Sequence, residues 1–224
     1  MNPKVLVGCP TWEGKKYCLK EYAEALKKLT YDNFDVLIID NSKESQYAGM
    51  IEALGFKVMR DEWQDKARDR IVSSRNKIKE YALENGYDYF LSLEQDVMPE
   101  PDVIQTLLCH QKKIVTGIVM NNLPVGNKIE LMPMAYVEHP ADPTGLWYLP
   151  KQDLEKQQLI EVKACGLGCV LMHKDVLEKI TFRYEGGFDD MMFCLDAINS
   201  GFKIYADTSV VPKHLHGNWD GIEK

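Results

Sequence analysis

The chain has 224 residues, of which 45% are hydrophobic, and it carries a formal net charge of −7 with a pI near 5.3. This length suits one substantial core, so we expect a single domain over residues 1–224. The acidic balance argues against a surface built for nucleic acid or an anionic membrane, since both need clustered Lys and Arg, so an anionic substrate must be held locally by a metal ion or placed cations.

The first half of the chain predicts alternating strands and helices. A short apolar strand, 5–9, stops at Pro10, which cannot donate to a strand ladder. Residues 36–39 are apolar at every position, as expected for a parallel strand covered on both faces. Further strands are predicted at 56–59, 89–93 and 114–119, and helices at 19–29, 47–54, 70–84 and 101–110. This alternation favours a mostly parallel, doubly wound sheet flanked by helices.

The pattern is weaker in the second half. Residues 121–163 mix prolines and glycines with two predicted strands, 131–138 and 159–164, and show no clear helix between them. Such long irregular stretches tend to be functional or mobile. A strand at 169–172 and a helix at 174–180 follow, and a second helix opens at Asp189 and Asp190. The chain then leads through two short apolar pairs to His214 and His216.

Neither a membrane span nor a disulfide framework is predicted. The longest apolar runs fall far short of the roughly 20 residues that span a bilayer. The first residues lack the apolar stretch of a secretory signal, so we expect a cytoplasmic protein without a membrane anchor. The six cysteines have no zinc-like spacing and are expected to be buried free thiols.

Polar residues follow three of the predicted strands. Thr11 comes after the first, Asp40 after the second, and Glu94, Gln95 and Asp96 after the fourth. In open α/β sheets, ligands bind outside the carboxyl ends of the strands. A carboxylate at position 40 can accept bonds from ribose hydroxyls or from a base N–H, although an ordinary turn aspartate is the alternative.

The acidic segment 94–96 offers hard carboxylate oxygens that suit Mg²⁺ or Mn²⁺ and can bridge such an ion to a diphosphate. Taken alone, an acidic turn is more often a solvated loop. His214 and His216 lie after the last predicted strand, where an imidazole would complete a coordination sphere that suits Mn²⁺. By itself, each histidine is more often structural or exposed.

Two aspartates and one arginine complete the candidate set. Asp189 and Asp190 stand at a helix start, where one carboxylate can cap the helix and the other can act as a general base. Capping alone is the simpler interpretation. Arg75 lies in the helix before the acidic segment and either faces phosphates or is a solvated cation.

Read together, these segments resemble the GT-A nucleotide-sugar glycosyltransferases, especially the large inverting family 2. The likeness covers most of the chain and rests on four stretches in this order: 5–11, 38–42, 89–96 and 187–204. It implies a single GT-A-like domain with a Rossmann-like sheet. The nucleotide-binding half would be about 1–120, and the acceptor and catalytic half, with a smaller antiparallel portion, about 121–224.

The resemblance also implies roles for individual residues. The nucleoside and donor contacts would be Pro10, Thr11, Asp40, Asn41, Arg75, Glu94, Gln95 and Gly168. Asp96 matches the last carboxylate of the family's Asp-x-Asp motif and would bind Mn²⁺ or Mg²⁺ together with His214 or His216. Glu94 replaces the usual first Asp of that motif, so Asp96 is the stronger candidate. Asp190 would be the base and Asp189 its acidic neighbour.

The reaction implied is an inverting displacement, in which Asp190 deprotonates an acceptor hydroxyl and the metal stabilises the departing nucleoside diphosphate. The acceptor would be a carbohydrate, a lipid-linked compound or another hydroxyl compound. The family's processive synthases carry membrane helices and a Gln-x-x-Arg-Trp motif, neither of which appears in this sequence, so a single transfer is expected. Two alternatives remain: a metal-dependent phosphohydrolase or nucleotidyltransferase, and a non-catalytic nucleotide- or sugar-binding module.

Overall fold

An eight-stranded sheet forms the centre of the fold in the computed structural model, which describes residues 2–215 apart from the side chains of Pro143 and Thr144. The elements of the first half are β1 (Val5–Thr11), a 3-10 helix (Glu13–Cys18), α1 (Leu19–Lys27), β2 (Phe34–Asp40), α2 (Gln46–Glu52), β3 (Lys57–Arg60), α3 (Ala67–Glu84), β4 (Tyr89–Leu93), β5 (Val97–Met98), α4 (Val103–Cys109) and β6 (Ile114–Gly117). These match the predicted alternation of strands and helices.

The second half adds β7 (Met120–Val125), β8 (Lys128–Pro133), β9 (Ala135–His139), β10 (Asp142–Tyr148), α5 (Lys151–Leu154), β11 (Leu159–Val162), β12 (Ala164–Cys165), β13 (Cys169–His173), α6 (Lys174–Lys179), α7 (Asp189–Asn199), β14 (Ile204–Asp207) and β15 (Lys213–His214). Among residues 2–215, no helix is long and apolar enough to cross a bilayer.

The strand order of the large sheet is β11-β14-β6-β13-β4-β1-β2-β3. Strands β1 to β4 pair in parallel, as do β6 and β14. Strand β13 runs antiparallel to both of its neighbours, and β11 runs antiparallel to β14. The predicted α/β class with a mainly parallel sheet is confirmed, and the smaller antiparallel sheets β10-β9-β12, β7-β8 and β15-β5 lie beside it.

The helices pack on both faces of the sheet. Because side chains alternate along a strand, Leu6 and Phe90 contribute to one buried cluster while Val7 and Leu91 contribute to the other. The first cluster includes residues of α3, α6 and α7, and the second includes residues of α1, α2 and α4. The sheet is therefore doubly wound, and its parallel strands read as apolar runs because both faces are covered.

Two strands expected in the irregular region are each divided in the structure. The predicted strand 131–138 breaks at Met134, whose backbone N–H donates to the Val119 carbonyl (2.8 Å) instead of continuing the ladder. The predicted strand 159–164 becomes β11 in the large sheet and β12 in a small one. The four-residue helix α5 lies between the hairpins and β11, where no clear helix was predicted.

Gly8 sets the distance between β1 and α3. A Cβ added at Gly8 would lie 2.6 Å from the ring of Phe90 and would also collide with Ile78 on α3. Real Cβ atoms do not approach other heavy atoms so closely, so a larger residue would push the helix away from the sheet. The close approach of α3 matters for the site because this helix carries Arg75 at its buried face.

Candidate active site

The candidate residues meet at the carboxyl edge of the parallel strands. Thr11 and Asp40 are register partners at the ends of β1 and β2. The segment 94–96 follows β4, the other neighbour of β1. This is the edge at which open α/β sheets bind ligands.

Gln95 joins three segments of this edge through its buried amide. Its Oε1 accepts from the hydroxyls of Thr11 and Tyr47 (2.9 Å for Tyr47), and its Nε2 donates to the Lys15 carbonyl (2.7 Å). Gln95 and Thr11 are 1% and 2% exposed. Gln95 therefore fixes the loop after β1 against the acidic segment.

Asp40 is fully buried and closes the turn after β2. Its Oδ1 accepts from the backbone N–H (2.9 Å) and the hydroxyl (2.5 Å) of Ser42, and its Oδ2 accepts from Arg60 (2.8 Å). The neighbouring Asn41 donates to the Ser74 hydroxyl at 3.0 Å. Both oxygens of Asp40 thus have partners inside the protein, and the aspartate holds Arg60 at this end of the sheet.

Asp96 is surrounded by cationic and polar side chains. Its Oδ2 forms an ion pair with the Lys15 ammonium and lies 3.3 Å from the Tyr17 hydroxyl and 3.4 Å from His214 Nε2. Burial raises the pKa of Asp96, but its bond to His214 and the charge of Lys15 outweigh burial and lower that pKa to about 2. Asp96 is therefore ionised throughout the physiological pH range.

His214 reaches Asp96 through the small ribbon of β5 and β15, in which His214 pairs with Val97. Its Nδ1 lies 2.9 Å from the Met120 carbonyl, and its Nε2 faces Asp96. Burial lowers the pKa of His214, but its hydrogen bonds with Asp96 and the Met120 backbone, together with the negative charges of Asp96 and Glu94, hold that pKa above its ordinary value. The structure thus brings together Asp96 and His214, two residues that the sequence nominated as metal ligands.

The chemistry of this pair fits a divalent ion. The Asp96 Oδ1 atom is buried and has no hydrogen-bond partner among the described residues. A carboxylate with an imidazole whose second nitrogen faces a backbone carbonyl is a donor set that suits Mn²⁺. Within residues 2–215 no three His, Cys, Asp or Glu side chains converge into a complete metal site. His216, the other nominated ligand, lies outside the described residues.

Arg75 bridges two carboxylates instead of lying on the surface. Its guanidinium donates to Glu94 Oε1 (2.5 Å) and forms an ion pair with Asp189, and its side chain is 2% exposed. Burial lowers the pKa of Arg75, but the charges of Asp189 and Glu94 outweigh it and raise that pKa. Arg75 therefore ties the end of β4 to the start of α7.

Asp190 has the opposite environment to Asp96. Its Oδ1 accepts from the Met191 backbone N–H at 2.7 Å, so this carboxylate does bond the start of α7. Burial, reinforced by the negative charges of Asp189 and Glu94, raises the pKa of Asp190 to about 6. A carboxylate with this pKa is ionised at neutral pH and still binds a proton well, as a general base requires.

The two glycines of the loop before β13 have different surroundings. A Cβ on Gly168 would lie 3.2 Å from Val119 and 3.3 Å from Val97, so this glycine packs against apolar side chains. A Cβ on Gly166 would lie 3.3 Å from the Met134 Cβ and 4.0 Å from Asp190 Oδ2. Gly166 therefore lies beside the candidate base, while Gly168, nominated as a donor contact, lies against Val119 and Val97.

Lys15, Tyr17 and Tyr47 were not nominated from the sequence. Lys15 and Tyr17 belong to the 3-10 helix after β1, and Tyr47 belongs to α2. The sequence feature that could have identified Lys15 as a site residue is its position just after β1, at the carboxyl edge of the sheet. Sequence spacing cannot show that its side chain turns inward to Asp96.

The sequence matches the family described as glycosyl transferase family 2 over residues 10–181, which is more than half of the chain. No curated protein matches the sequence.

Several solved structures share the fold at low sequence identity. GalNAc-T7, crystallised with UDP, GalNAc and Mn²⁺, superposes with a TM-score of 0.69 at 12% identity, and the match covers 96% of this chain but 43% of that one. TarS 1–349 from S. aureus, in complex with UDP-GlcNAc, gives 0.58 at 13% identity over 96% of this chain and 60% of its own. A197 from STIV gives 0.53 at 16% identity over 96% and 86%. The GT-A fold expected from the sequence is thereby confirmed.

Proposed function

We propose, from the premise that this chain belongs to glycosyl transferase family 2, that it moves a sugar from a nucleoside-diphosphate sugar to an acceptor hydroxyl with inversion at the anomeric carbon. One observation carries the proposal: two carboxylates with opposite proton affinities stand at the same edge of the sheet, at Asp96 and Asp190. In the inverting transfer that we propose, Asp96 would hold cations and Asp190 would accept a proton.

On the donor side, the ends of β1 and β2 would receive the nucleoside. Pro10, Thr11, Asp40 and Asn41 line this edge, and the Asn41 backbone N–H donates to the Thr11 carbonyl at 2.8 Å. Since Thr11 and Asp40 already bond protein groups, a nucleoside would extend an organised polar network instead of ordering a loose one.

Asp96 and His214 would hold Mn²⁺ or Mg²⁺ against the diphosphate, with His216 as the other candidate ligand. When bound, such an ion neutralises negative charge that develops on the departing nucleoside diphosphate. Because the pKa of Asp96 is low, its carboxylate would stay ionised and able to hold the divalent ion.

On the acceptor side, Asp190 would take the proton of the attacking hydroxyl. The acceptor oxygen forms a bond to the anomeric carbon, the bond from that carbon to the phosphate oxygen breaks, and its electron pair leaves with the nucleoside diphosphate. Arg75 would keep Asp189 and Glu94 from raising the pKa of Asp190 further, since its positive charge lowers that pKa. Asp189 and Glu94 would lie between the donor and the acceptor.

A direct assay tests the proposal. The protein would be incubated with a panel of nucleotide sugars, beginning with the UDP-sugars named for the structural neighbours, with and without Mn²⁺ and candidate carbohydrate or lipid-linked acceptors. We expect nucleoside diphosphate to be released only when an acceptor is present, together with a glycosylated product of inverted configuration.

Other products would favour other functions. Release of nucleoside monophosphate or pyrophosphate without sugar transfer would identify a phosphohydrolase or nucleotidyltransferase. Nucleotide binding without turnover under any condition would identify a binding module.

A further inference from the structure

We propose that Lys15 is a built-in competitor of the divalent ion, because its ammonium pairs with Asp96 at Oδ2, the oxygen that also faces the candidate ligand His214. The inference deepens the proposed function, since it rests on the metal site of that function. It does not depend on which sugar is transferred.

Three groups converge on the single atom Asp96 Oδ2. The Lys15 ammonium forms an ion pair with it, the Tyr17 hydroxyl lies 3.3 Å away, and His214 Nε2 lies 3.4 Å away. An ion that bound both Asp96 Oδ2 and His214 Nε2 would meet the ammonium at this oxygen. Two cations at this oxygen would repel each other strongly, so an ion bound between Oδ2 and His214 would displace the Lys15 ammonium.

Burial makes this competition energetically significant. The side chains of Asp96 and Lys15 are 1% and 17% exposed, so water screens their attraction poorly. Taking away the partner of a buried charge leaves that charge uncompensated, which is strongly unfavourable. Without Lys15, Asp96 would gain much more from binding a free divalent ion than it does in the intact protein.

The loop is built so that the ammonium can leave while the backbone stays. The Lys15 carbonyl accepts from Gln95 Nε2 at 2.7 Å, and the Lys15 N–H donates to the Trp12 carbonyl at 2.9 Å. The main chain at position 15 is therefore fixed at both of its polar groups. The flexible four-carbon stem of lysine lets the charged end move independently of it.

The experiment measures Mn²⁺ binding to the full chain by isothermal titration calorimetry without any nucleotide. Lys15→Met removes the competing charge, and we expect its affinity for Mn²⁺ to rise on the order of tenfold or more over the wild type. Lys16→Met is the matched control, because exposed Lys16 is adjacent and its loss changes the net charge equally. Lys16→Met should bind Mn²⁺ as the wild type does.

Two further variants keep the result interpretable. Lys15→Gln replaces Lys15→Met if the latter does not fold, as judged by its thermal midpoint. Adding Asp96→Asn to Lys15→Met should abolish the gained affinity, because the competition is for that carboxylate.

Equal Mn²⁺ affinity in Lys15→Met and Lys16→Met would overturn the inference, as would a gain that survives Asp96→Asn. If sugar transfer is observed alongside either result, the proposed function stands while the inference falls. A specific gain in Lys15→Met without any sugar transfer would leave the inference standing and reject the function.

Discussion

Asp96 and Asp190 are the same side chain in two environments, at two corners of one site. Asp96 is surrounded by His214, Lys15 and Tyr17, and the contributions of His214 and Lys15 outweigh burial and lower its pKa to about 2. Asp190 is partly buried beside Asp189 and Glu94, and its pKa is raised to about 6. Burial acts in the same direction on both, so the neighbouring charges decide the outcome.

Under the proposed function, this difference would let one scaffold separate cation binding at Asp96 from proton transfer at Asp190. The positive groups near Asp96 come from the 3-10 helix after β1 and from β15. The negative groups near Asp190 come from the end of β4 and the start of α7. Arg75 pairs with both Glu94 and Asp189 and so limits the negative charge near Asp190.

The largest expected effect is that of Asp190→Asn on turnover. Because the amide cannot accept the acceptor's proton, we expect kcat to fall roughly 10²- to 10⁴-fold with little change in donor affinity. The kcat is obtained from the rate of acceptor-dependent nucleoside diphosphate release, and donor affinity from calorimetry. Asp196→Asn on the same helix is the control, since Asp196 pairs with Arg183 away from the site. Unchanged turnover in Asp190→Asn would show that Asp190 is not the general base.

Arg75→Met tests the charge balance around Asp190. The substitution leaves Glu94 and Asp189 without their shared cation. We expect the free energy of unfolding to fall by about 3 kcal/mol. This value is at the low end for a buried pair because the Glu94 side chain is 36% exposed. Urea denaturation measures the change. Arg183→Met, which breaks an exposed pair with Asp196, should cost less than about 1 kcal/mol. Equal losses in the two variants would show that Arg75 is not a buried bridge.

A smaller effect concerns the pH dependence of stability at Asp96. The pKa of Asp96 is lowered from 3.8 to about 2, so the stabilisation from its ionised form is present above pH 4 and lost as the pH falls toward 2. The unfolding free energy of the wild type minus that of Asp96→Asn should therefore shrink by about 2 kcal/mol between pH 5 and pH 2. Other carboxylates titrate in both proteins and cancel. A difference that is constant with pH would mean that Asp96 lacks cationic partners.

The sequence predicted the parts of the fold that depend on local pattern. Strand β2 is read from its apolar run, and its carboxyl end marks Asp40, because parallel strands buried on both faces leave polar residues at their ends. The start of α7 is read from its two aspartates and the apolar spacing that follows. The antiparallel direction of β13 had no such signal, since an apolar run does not encode the direction of its neighbours.

The sequence predicts which residues belong to the candidate site better than it predicts which of them contact one another. The meeting of Asp96 and His214 depends on β5 and β15, strands of two residues each that are too short to show any periodicity. Ligand chemistry and position after the last predicted strand suggested the pairing of Asp96 with His214 or His216, and the order of motifs in the resembling family supported it. Lys15 turns inward, and Arg75 lies between two carboxylates. Both side chains are long and flexible, so tertiary packing determines where their charged ends lie.

The pH dependence of acceptor-stimulated transfer is the most direct test of Asp190 as the general base. The kcat/KM for nucleoside diphosphate release would be measured from pH 4.5 to 8.5 in the wild type and in Asp190→Asn. We predict that the wild-type rate falls on the acid side with an inflection near pH 6, the pKa of Asp190, and that the variant shows a low rate without this inflection. A full rate with the same acid-side inflection in Asp190→Asn would contradict the account.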